Sequence, residues 1–377
     1  MKKTKTTTQL EIDMPHNPNK LFVAFEMGNE KWVLCFCDGK RLRHRQVDAG
    51  AQSAVLKEIG LAKEKLGFEK DCEVHSCYEA GRDGFWPHRF LEQQGVKNRV
   101  FDPASIEVDR RQRRKKTDRV DAEKLVRLLM RIVLCGEKKV CAEVRIPTPE
   151  QEAVMRVHRE RERLVKERTA HRGRLRSLLC LHGIKLKSVD RLVPGALRDW
   201  QGQTLPAEMV QELEREVQRL QQIQEQVEAV EKEQRQRLKE PQAKETQKAA
   251  QLMVFKGVGL QCGWLMAHEF FWRQFNNRRE VGACAGLTGS PYDSGESERE
   301  LGIGKAGNRR VRTLCIEMAW NWLRFQPQSQ LSQWFLKKFA QSKRSKRVGI
   351  VALARKLLVA LWKYLHFGLV PEGALLK

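Results

Sequence analysis

The chain contains the stretch Lys115-Lys116-Thr117-Asp118-Arg119-Val120-Asp121-Ala122-Glu123-Lys124-Leu125. Thr117 is a favoured N-cap residue, so we predict that a helix begins there and that Asp118 and Asp121 project from the same side of its first turn. Two carboxylates about 4 Å apart repel each other by roughly 4 kcal/mol at an effective dielectric constant of about 20. Such a pair favours a proton, an arginine or a divalent cation between its oxygens, and the alternative is two solvated acids.

A dense basic run comes immediately before this acid pair. A phosphate backbone is attracted to such a run, so carboxylates beside it predict metal-assisted chemistry on a phosphodiester. The run consists of Arg110, Arg111, Arg113, Arg114, Lys115 and Lys116.

Composition supports a polyanionic partner. The chain has 377 residues and a formal net charge of +24, so it is long enough for two or three domains and nucleic acid is its expected partner. The most apolar late segment, residues 348–367, includes Arg355, Lys356 and Lys363, and the start of the chain does not resemble a signal peptide, so we expect no membrane span. The ten cysteines are scattered without a Cys-x-x-Cys pair, which indicates reduced cysteines of a cytosolic protein rather than a zinc site.

The first part of the chain shows the element order of an RNase H-like fold. Short apolar runs predict three strands, and a helix, a strand, a helix, a strand and the Asp118 helix follow. The predicted elements are 21–25, 32–37, 41–47, 51–66, 72–77, 85–94, 98–101 and the helix from Thr117.

This fold predicts where further acids should lie. Glu26 ends the first strand and Glu79 ends the fourth, and in an RNase H-like nuclease both ends converge with the last helix. Together with Asp118 and Asp121 they supply four carboxylates for two metal ions about 3.5–4 Å apart. Glu30 competes with Glu26, whereas Asp71, Glu73, Asp83 and Glu123 fit this geometry less well.

The composition changes near residue 145. Thr148-Pro149-Glu150-Gln151 predicts a capped helix start, and a second long helix covers roughly 206–239. These two helices are predicted to pair as an antiparallel coiled coil, within the chain or between subunits. Residues 255–259, with Lys256, Gly257 and Gly259, suggest the turn of a helix-hairpin-helix that lets backbone amides approach a phosphate.

The last third carries a serine and a group of cations. Residues 285–297 are interpreted as a long turn-rich loop that contains Ser294, and two basic amphipathic helices are predicted for 331–365. A serine near cations could attack phosphorus, although Asp-Ser-Gly is also common in turns. The cations, which we predict to contact nucleic acid, are Lys305, Arg309, Arg310 and Arg312.

A set of ordered motifs resembles the DEDD-type insertion-sequence transposases of the IS110 family, including its IS1111 subgroup. The resemblance covers about residues 21–365. The motifs are Tyr78-Glu79-Ala80-Gly81, Asp102-Pro103-Ala104-Ser105, Lys116-Thr117-Asp118-Arg119-Val120-Asp121-Ala122, Gly286-Leu287-Thr288, Ser294-Gly295 and Lys305-Ala306-Gly307-Asn308-Arg309-Arg310.

The resemblance implies an α/β plus α architecture. After a flexible arm at 1–19, it implies a RuvC-like (RNase H-like) catalytic domain at 20–145, a helical coiled-coil linker at 146–245 and a mainly helical transposase domain at 246–377. Glu26, Glu79, Asp118 and Asp121 would bind two Mg²⁺ ions, which Mn²⁺ could replace. Ser294, with Ser290 as its rival, would be the nucleophile that forms a phosphoserine link to DNA. The family usually has aspartate where this chain has Glu26.

The resemblance also implies partners. Family members insert and excise a circular element, and a structured guide RNA from the flank of the element pairs with donor and target DNA. We therefore expect DNA, guide RNA and a homo-oligomer, a dimer or a tetramer, in the bacterial cytoplasm at the nucleoid.

Two other functions are compatible with the residues alone. A RuvC-like structure-specific nuclease would hydrolyse DNA with a metal-activated water and would form no covalent adduct. An architectural binder would use only the basic helices and the helix-hairpin-helix, and its binding would weaken steeply with salt.

Overall fold

The chain divides into two compact units, Met1–Ile146 and Pro147–Lys377. A computed structural model describes residues 19–106, 117–137, 140–294, 297–304 and 307–377, with the backbone alone for 290–294 and 297–301. Residues 1–18 of the N-terminal arm, the basic run 110–116 and Lys305 lie outside the described residues.

The first unit is built around a mixed sheet. Its strands have the order β3-β2-β1-β4-β5, in which β1 pairs antiparallel with β2 and parallel with β4. This order is compatible with the predicted RNase H-like fold. The elements are β1 (Lys20–Met27), β2 (Lys31–Cys37), β3 (Leu42–Asp48), α1 (Gln52–Leu66), β4 (Glu73–Glu79), α2 (Trp86–Gln93), β5 (Lys97–Phe101) and α3 (Asp118–Cys135).

Successive side chains of a strand point to opposite sides of the sheet, and both sides of this sheet are apolar. One face, with Val23, Phe25 and Tyr78, packs against α1 and α2. The opposite face, with Ala24 and Cys77, packs against α3. Helix α3 therefore covers the side of the sheet to which even-numbered residues of β1 and odd-numbered residues of β4 project.

The predicted start of α3 is confirmed. Thr117 is its N-cap, and the Thr117 hydroxyl accepts a hydrogen bond from the Val120 amide at 3.4 Å. Asp118 and Asp121 occupy the first turn, where the helix dipole stabilises negative charge.

The second unit is mostly helical. Its elements are α4 (Pro149–Cys180), α5 (Ala207–Lys239), α6 (Lys244–Met253), α7 (Leu260–Leu265), a π-helical segment (Met266–Phe270), α8 (Arg278–Cys284), β6 (Gly289–Ser294), β7 (Ser297–Ile303), α9 (Arg309–Phe325), α10 (Gln330–Phe339) and α11 (Lys343–Phe367). Its main core includes Phe255, Trp322 and Leu357.

Helices α4 and α5 pack against each other in antiparallel orientation within one chain. Arg161 pairs with Glu231 at 2.7 Å, and nearer the opposite end Arg174 pairs with Glu216 at 2.7 Å. The predicted capping box is present at Thr148, which begins α4. That this pair forms a true coiled coil remains a prediction.

One expectation for the second unit was wrong. Residues 285–297, interpreted as a turn-rich loop, include strand β6, which pairs with β7 as a two-stranded antiparallel sheet. Glycine, proline, serine and aspartate in this stretch favour turns, but backbone pairing with the following residues overrides that preference. Among the described helices, none is long and apolar enough to span a membrane.

Candidate active site

Glu26 and Glu79 lie side by side at the carboxyl ends of two paired parallel strands. Phe25 of β1 is the register partner of Tyr78 of β4, and each glutamate is the next residue of its strand. Neighbouring strands are about 4.8 Å apart, so this register brings the two residues close together. Both glutamates line one cleft of about 140 Å³.

The two glutamates project to the side of the sheet that α3 covers. Ala24 and Cys77, each two residues before a glutamate, pack against this helix. The Cys77 thiol donates a hydrogen bond to the Leu125 carbonyl at 3.5 Å. Because side chains two residues apart in a strand share a face, Glu26 and Glu79 lie on the same face of the sheet as Ala24 and Cys77, the face that α3 covers.

Arginines of α3 shift the pKa values of side chains on β2 and β3. Burial raises the pKa of the Cys37 thiol, and Arg127 partly lowers it. Burial lowers the pKa of His44, the register partner of Cys35, and Arg119 lowers it further. Since β2 runs antiparallel to β1, Cys35 lies nearer than Cys37 to the carboxyl end of β1. In the proposal below, the first turn of α3 faces the sheet end that carries the glutamates.

Asp118 and Asp121 lie in the first turn of α3, and neither is among the residues that line the cleft of the two glutamates. Asp118 is exposed, whereas Asp121 is half-buried and its carboxylate lies 3.6 Å from the ammonium of Lys124. Within the part of the chain that the structure describes, no three His, Cys, Asp or Glu side chains form a ready group of metal ligands. The structure thus places Glu26 and Glu79 in one cleft, and the approach of Asp118 and Asp121 to them belongs to the proposal below.

Sequence reasoning missed Arg82 in this cleft and ranked Asp83 low because it lies in a turn. Both line the cleft with the two glutamates. The Arg82 guanidinium donates a hydrogen bond to the Gly28 carbonyl at 3.3 Å and lies 3.5 Å from the Asp83 carboxylate. Their position directly after a parallel strand was the available signal, because residues there lie at the same edge as the strand ends.

The serine candidates belong to the β6–β7 hairpin. Ser294 is the last residue of β6 and pairs with Ser297, the first residue of β7, so it lies at the tip of the hairpin. Ser290 lies four residues earlier, near the foot of the same strand.

The Gly307-Asn308 pair fixes the backbone that follows this hairpin. Gly307 has a φ of +85°, and a Cβ there would lie 2.2 Å from the carbonyl oxygen of Cys284, so only glycine fits. The Asn308 side chain accepts hydrogen bonds from the Arg310 and Val311 amides and thereby caps α9. Neither residue had a structural role that was predicted from the sequence.

A buried carboxylate connects this cap to α4. Glu269 is 3% exposed, accepts hydrogen bonds from Arg159 at 2.7 and 3.1 Å, and accepts one from Asn308 at 3.4 Å. Burial opposes ionisation of Glu269, but the Arg159 guanidinium and the charge of Arg310 bring its pKa below the ordinary value. Arg310, predicted to contact nucleic acid, donates a hydrogen bond to Glu162 of α4 at 2.7 Å.

Two glycines of the predicted helix-hairpin-helix differ in their surroundings. A Cβ at Gly257, whose φ is +90°, would lie 3.2 Å from Phe325, whereas one at Gly259 would meet no atom within 4 Å. Gly257 therefore allows α9 to pack closely, and its neighbour Lys256 is exposed.

Two further cations predicted to bind nucleic acid lie in the first turn of α9, where Arg309 is exposed and Arg312 is half-buried. Phosphate binding by these residues stays a prediction.

Transposase family models match residues in both units of the chain. A family model for DEDD transposases of the IS110 type, described as "Transposase", matches residues 24–183. A second model, described as "Transposase IS116/IS110/IS902 family", matches residues 249–333.

Relatives match the chain over different lengths. The protein y4rJ of Sinorhizobium fredii, named as a transposase, is 38% identical over 98% of this chain and 97% of its own length. The protein y4qE of the same organism, also named as a transposase, is 30% identical over 66% of this chain and 58% of its own length. The transposase for insertion sequence element IS1328 of Yersinia enterocolitica is 26% identical over 57% of this chain and 63% of its own length.

Proposed function

The chain belongs to the IS110 family of DEDD transposases, and from this premise we propose that it excises and inserts an insertion sequence with four acids and one serine. As a DNA transposase it acts on DNA, and transposases of the DEDD type generally use divalent metal ions. The acids of the proposal are Glu26, Glu79, Asp118 and Asp121, and its nucleophile is Ser294.

One observation supports the acid set most strongly. Glu26 and Glu79 lie at the carboxyl ends of adjacent parallel strands, share one cleft and project to the face of the sheet covered by α3. The donor set consists of carboxylate oxygens alone, which suits Mg²⁺ and also Mn²⁺. These four residues would hold two ions, and such ions, when bound, stabilise the negative charge that develops on the phosphate being cut.

The role of Ser294 follows from strand exchange, in which a broken DNA strand must be held until it is rejoined. The Ser294 oxygen would attack phosphorus and form an ester bond, while the bond from phosphorus to a deoxyribose oxygen breaks. The proton lost by the serine hydroxyl balances the proton that the departing oxygen takes up. Attack by the hydroxyl of another strand reverses these steps and releases the serine.

Guidance by RNA and assembly into a dimer or tetramer also belong to the proposal. The net charge of +24 supports an extensive nucleic-acid partner. A structured RNA transcribed from the flank of the element would pair with donor and target DNA, so that base pairing selects the sequence. Acting on chromosomal DNA, the protein would associate with the nucleoid. RNA that copurifies with the protein and maps to the flank of the element would support guidance, and its absence would contradict it.

Trapping of a protein–DNA adduct tests the serine. Wild-type protein incubated with a donor plasmid and Mg²⁺, then denatured, should retain DNA covalently, and Ser290→Ala should do the same. Ser294→Ala should give no adduct and no recombination. Cleavage without any adduct in the wild type would contradict the serine mechanism and favour hydrolysis by water.

Substitution of the acids tests the metal-binding set. Glu79→Gln and Asp118→Ala should abolish recombination but leave DNA binding within about twofold, because they remove ligands and not phosphate contacts. Glu123→Gln is the matched control, since Glu123 lies on the same helix but pairs with Arg127 at 3.1 Å. Recombination by Asp118→Ala at the wild-type rate would refute the assignment.

A further inference from the structure

A groove of the second unit lies beside the foot of the β6–β7 hairpin. It has a volume of about 770 Å³ and runs between the hairpin, α10 and α11. Gly289, the first residue of β6, and Ile303, the last residue of β7, both line it.

Its charge is of one sign. Among the described residues that line the groove, five are cationic and none is acidic. Two of the cations, Arg347 and Lys363, are exposed, whereas Arg355 packs against Gly282 of α8. Such a surface complements an anionic ligand, and phosphate groups are the anions that a transposase meets.

The floor of the groove is apolar. Val351, Val359 and Leu331 line it together with Trp334, and the Lys356 ammonium lies 4.7 Å from the centre of the Trp334 ring. Val348, which also lines the groove, is 62% exposed. A duplex presents phosphates outward and keeps its base faces stacked, so it would leave this floor without a partner. An unpaired strand offers both phosphates and base faces.

We propose that this groove binds an unpaired segment of nucleic acid, with its phosphates on Arg347 and Lys363 and its bases on the apolar floor. The choice of a nucleic-acid ligand rests on the proposed function. The groove lies at the foot of the hairpin, and Ser294 lies at its tip, five residues or about 17 Å along an extended strand from Gly289. A strand leaving the groove along the hairpin would lead to this serine.

Fluorescence anisotropy of the full chain tests the proposal. The probes are a fluorescein-labelled oligonucleotide of about 12 nucleotides as single-stranded DNA, the same sequence as single-stranded RNA, and a blunt DNA duplex. The test variant is Arg347→Gln/Lys363→Gln. The matched control, Lys338→Gln/Lys343→Gln, removes the same charge from exposed positions of α10 and α11 that do not line the groove.

We expect the test variant to bind an unpaired strand about tenfold more weakly than wild type, and the control to stay within about twofold. The slope of log K against log salt should also become shallower by about 1.4, because two phosphate contacts to a single strand are lost. A loss confined to the RNA probe or to the DNA probe supports the proposal and identifies which nucleic acid occupies the groove. Equal losses in test and control variants, no loss, or an equal loss of duplex binding would overturn it.

This outcome is separable from the proposed function. Asp118→Ala should keep unpaired-strand binding and its dependence on Arg347 and Lys363, even though it abolishes recombination. If the groove proposal fails, Arg347→Gln/Lys363→Gln will show no loss of unpaired-strand binding beyond that of its control or of duplex binding. If the acid assignment fails, Asp118→Ala will still recombine DNA.

Discussion

The thiol of Cys77 donates a hydrogen bond to the backbone carbonyl of Leu125 at 3.5 Å, which joins β4 to α3 two residues before Glu79. Cys77 is fully buried, and burial raises the pKa of its thiol well above the ordinary value, so it remains protonated and able to donate. The spacing between the Glu79 strand and the Asp118 helix therefore depends on a small side chain at this position.

Cys77→Leu should destabilise the first unit by about 1–3 kcal/mol, because the larger side chain overpacks the space between β4 and α3. Urea denaturation measures this change in the free energy of unfolding. Cys135→Leu, at the exposed end of α3, should alter it by no more than about 0.5 kcal/mol. Equal unfolding midpoints for the two variants would show that Cys77 does not set the spacing.

Gly307→Ala should lower the free energy of unfolding far more than Gly368→Ala, although both glycines have a positive φ. A Cβ at Gly307 would overlap the Cys284 carbonyl, whereas Gly368 has a φ of +71° and no atom within 4 Å of a built Cβ. We expect about 1 kcal/mol for Gly368→Ala, from backbone strain alone, and clearly more for Gly307→Ala. Thermal unfolding followed by circular dichroism compares the two, and similar melting temperatures would refute the steric explanation.

Glu269→Gln should lower the free energy of unfolding of the second unit at neutral pH. It should also reduce the loss of stability that occurs when the pH falls. The folded-state pKa of Glu269 lies below its ordinary value of 4.5, so its contribution to stability is fully present above pH 4.5 and is lost as the pH falls through the lower folded-state pKa. We expect a loss of about 1.5–3 kcal/mol at pH 7, because the charged hydrogen bonds to Arg159 are weakened.

The comparison is the free energy of unfolding of wild type and variant, measured by urea denaturation at pH 7 and at pH values below 4.5. The difference between the two proteins should shrink in acid. Glu317→Gln, at an exposed position of α9, should match the wild type at every pH. A difference that stays constant with pH would mean that Glu269 does not act as a carboxylate in this network.

Local patterns predicted most of the fold. Thr117 and Thr148 are N-caps in the structure as predicted, since each places a hydroxyl where the first free helix amides need an acceptor. The strand β6 was missed within the predicted loop 285–297 because turn-forming residues act locally, whereas the β6–β7 pairing joins backbone groups up to 14 positions apart.

The candidate site was only partly predictable. Glu26 and Glu79 could be chosen because strand ends are visible in the sequence and parallel neighbours bring them together. Arg82 could not be ranked, since its place in the cleft depends on a turn that reaches the Gly28 carbonyl. The role of Ser294 came from the resemblance and not from local chemistry, because Asp-Ser-Gly alone favours a turn.

Manganese binding, measured by electron paramagnetic resonance, tests the central claim most directly because it does not depend on recombination. The measurement titrates Mn²⁺ into the wild type, Glu79→Gln and the control Glu123→Gln, and counts the bound ions. We expect two bound ions in the wild type and the control, and the loss of at least one in Glu79→Gln. An unchanged number of bound ions in Glu79→Gln would contradict it.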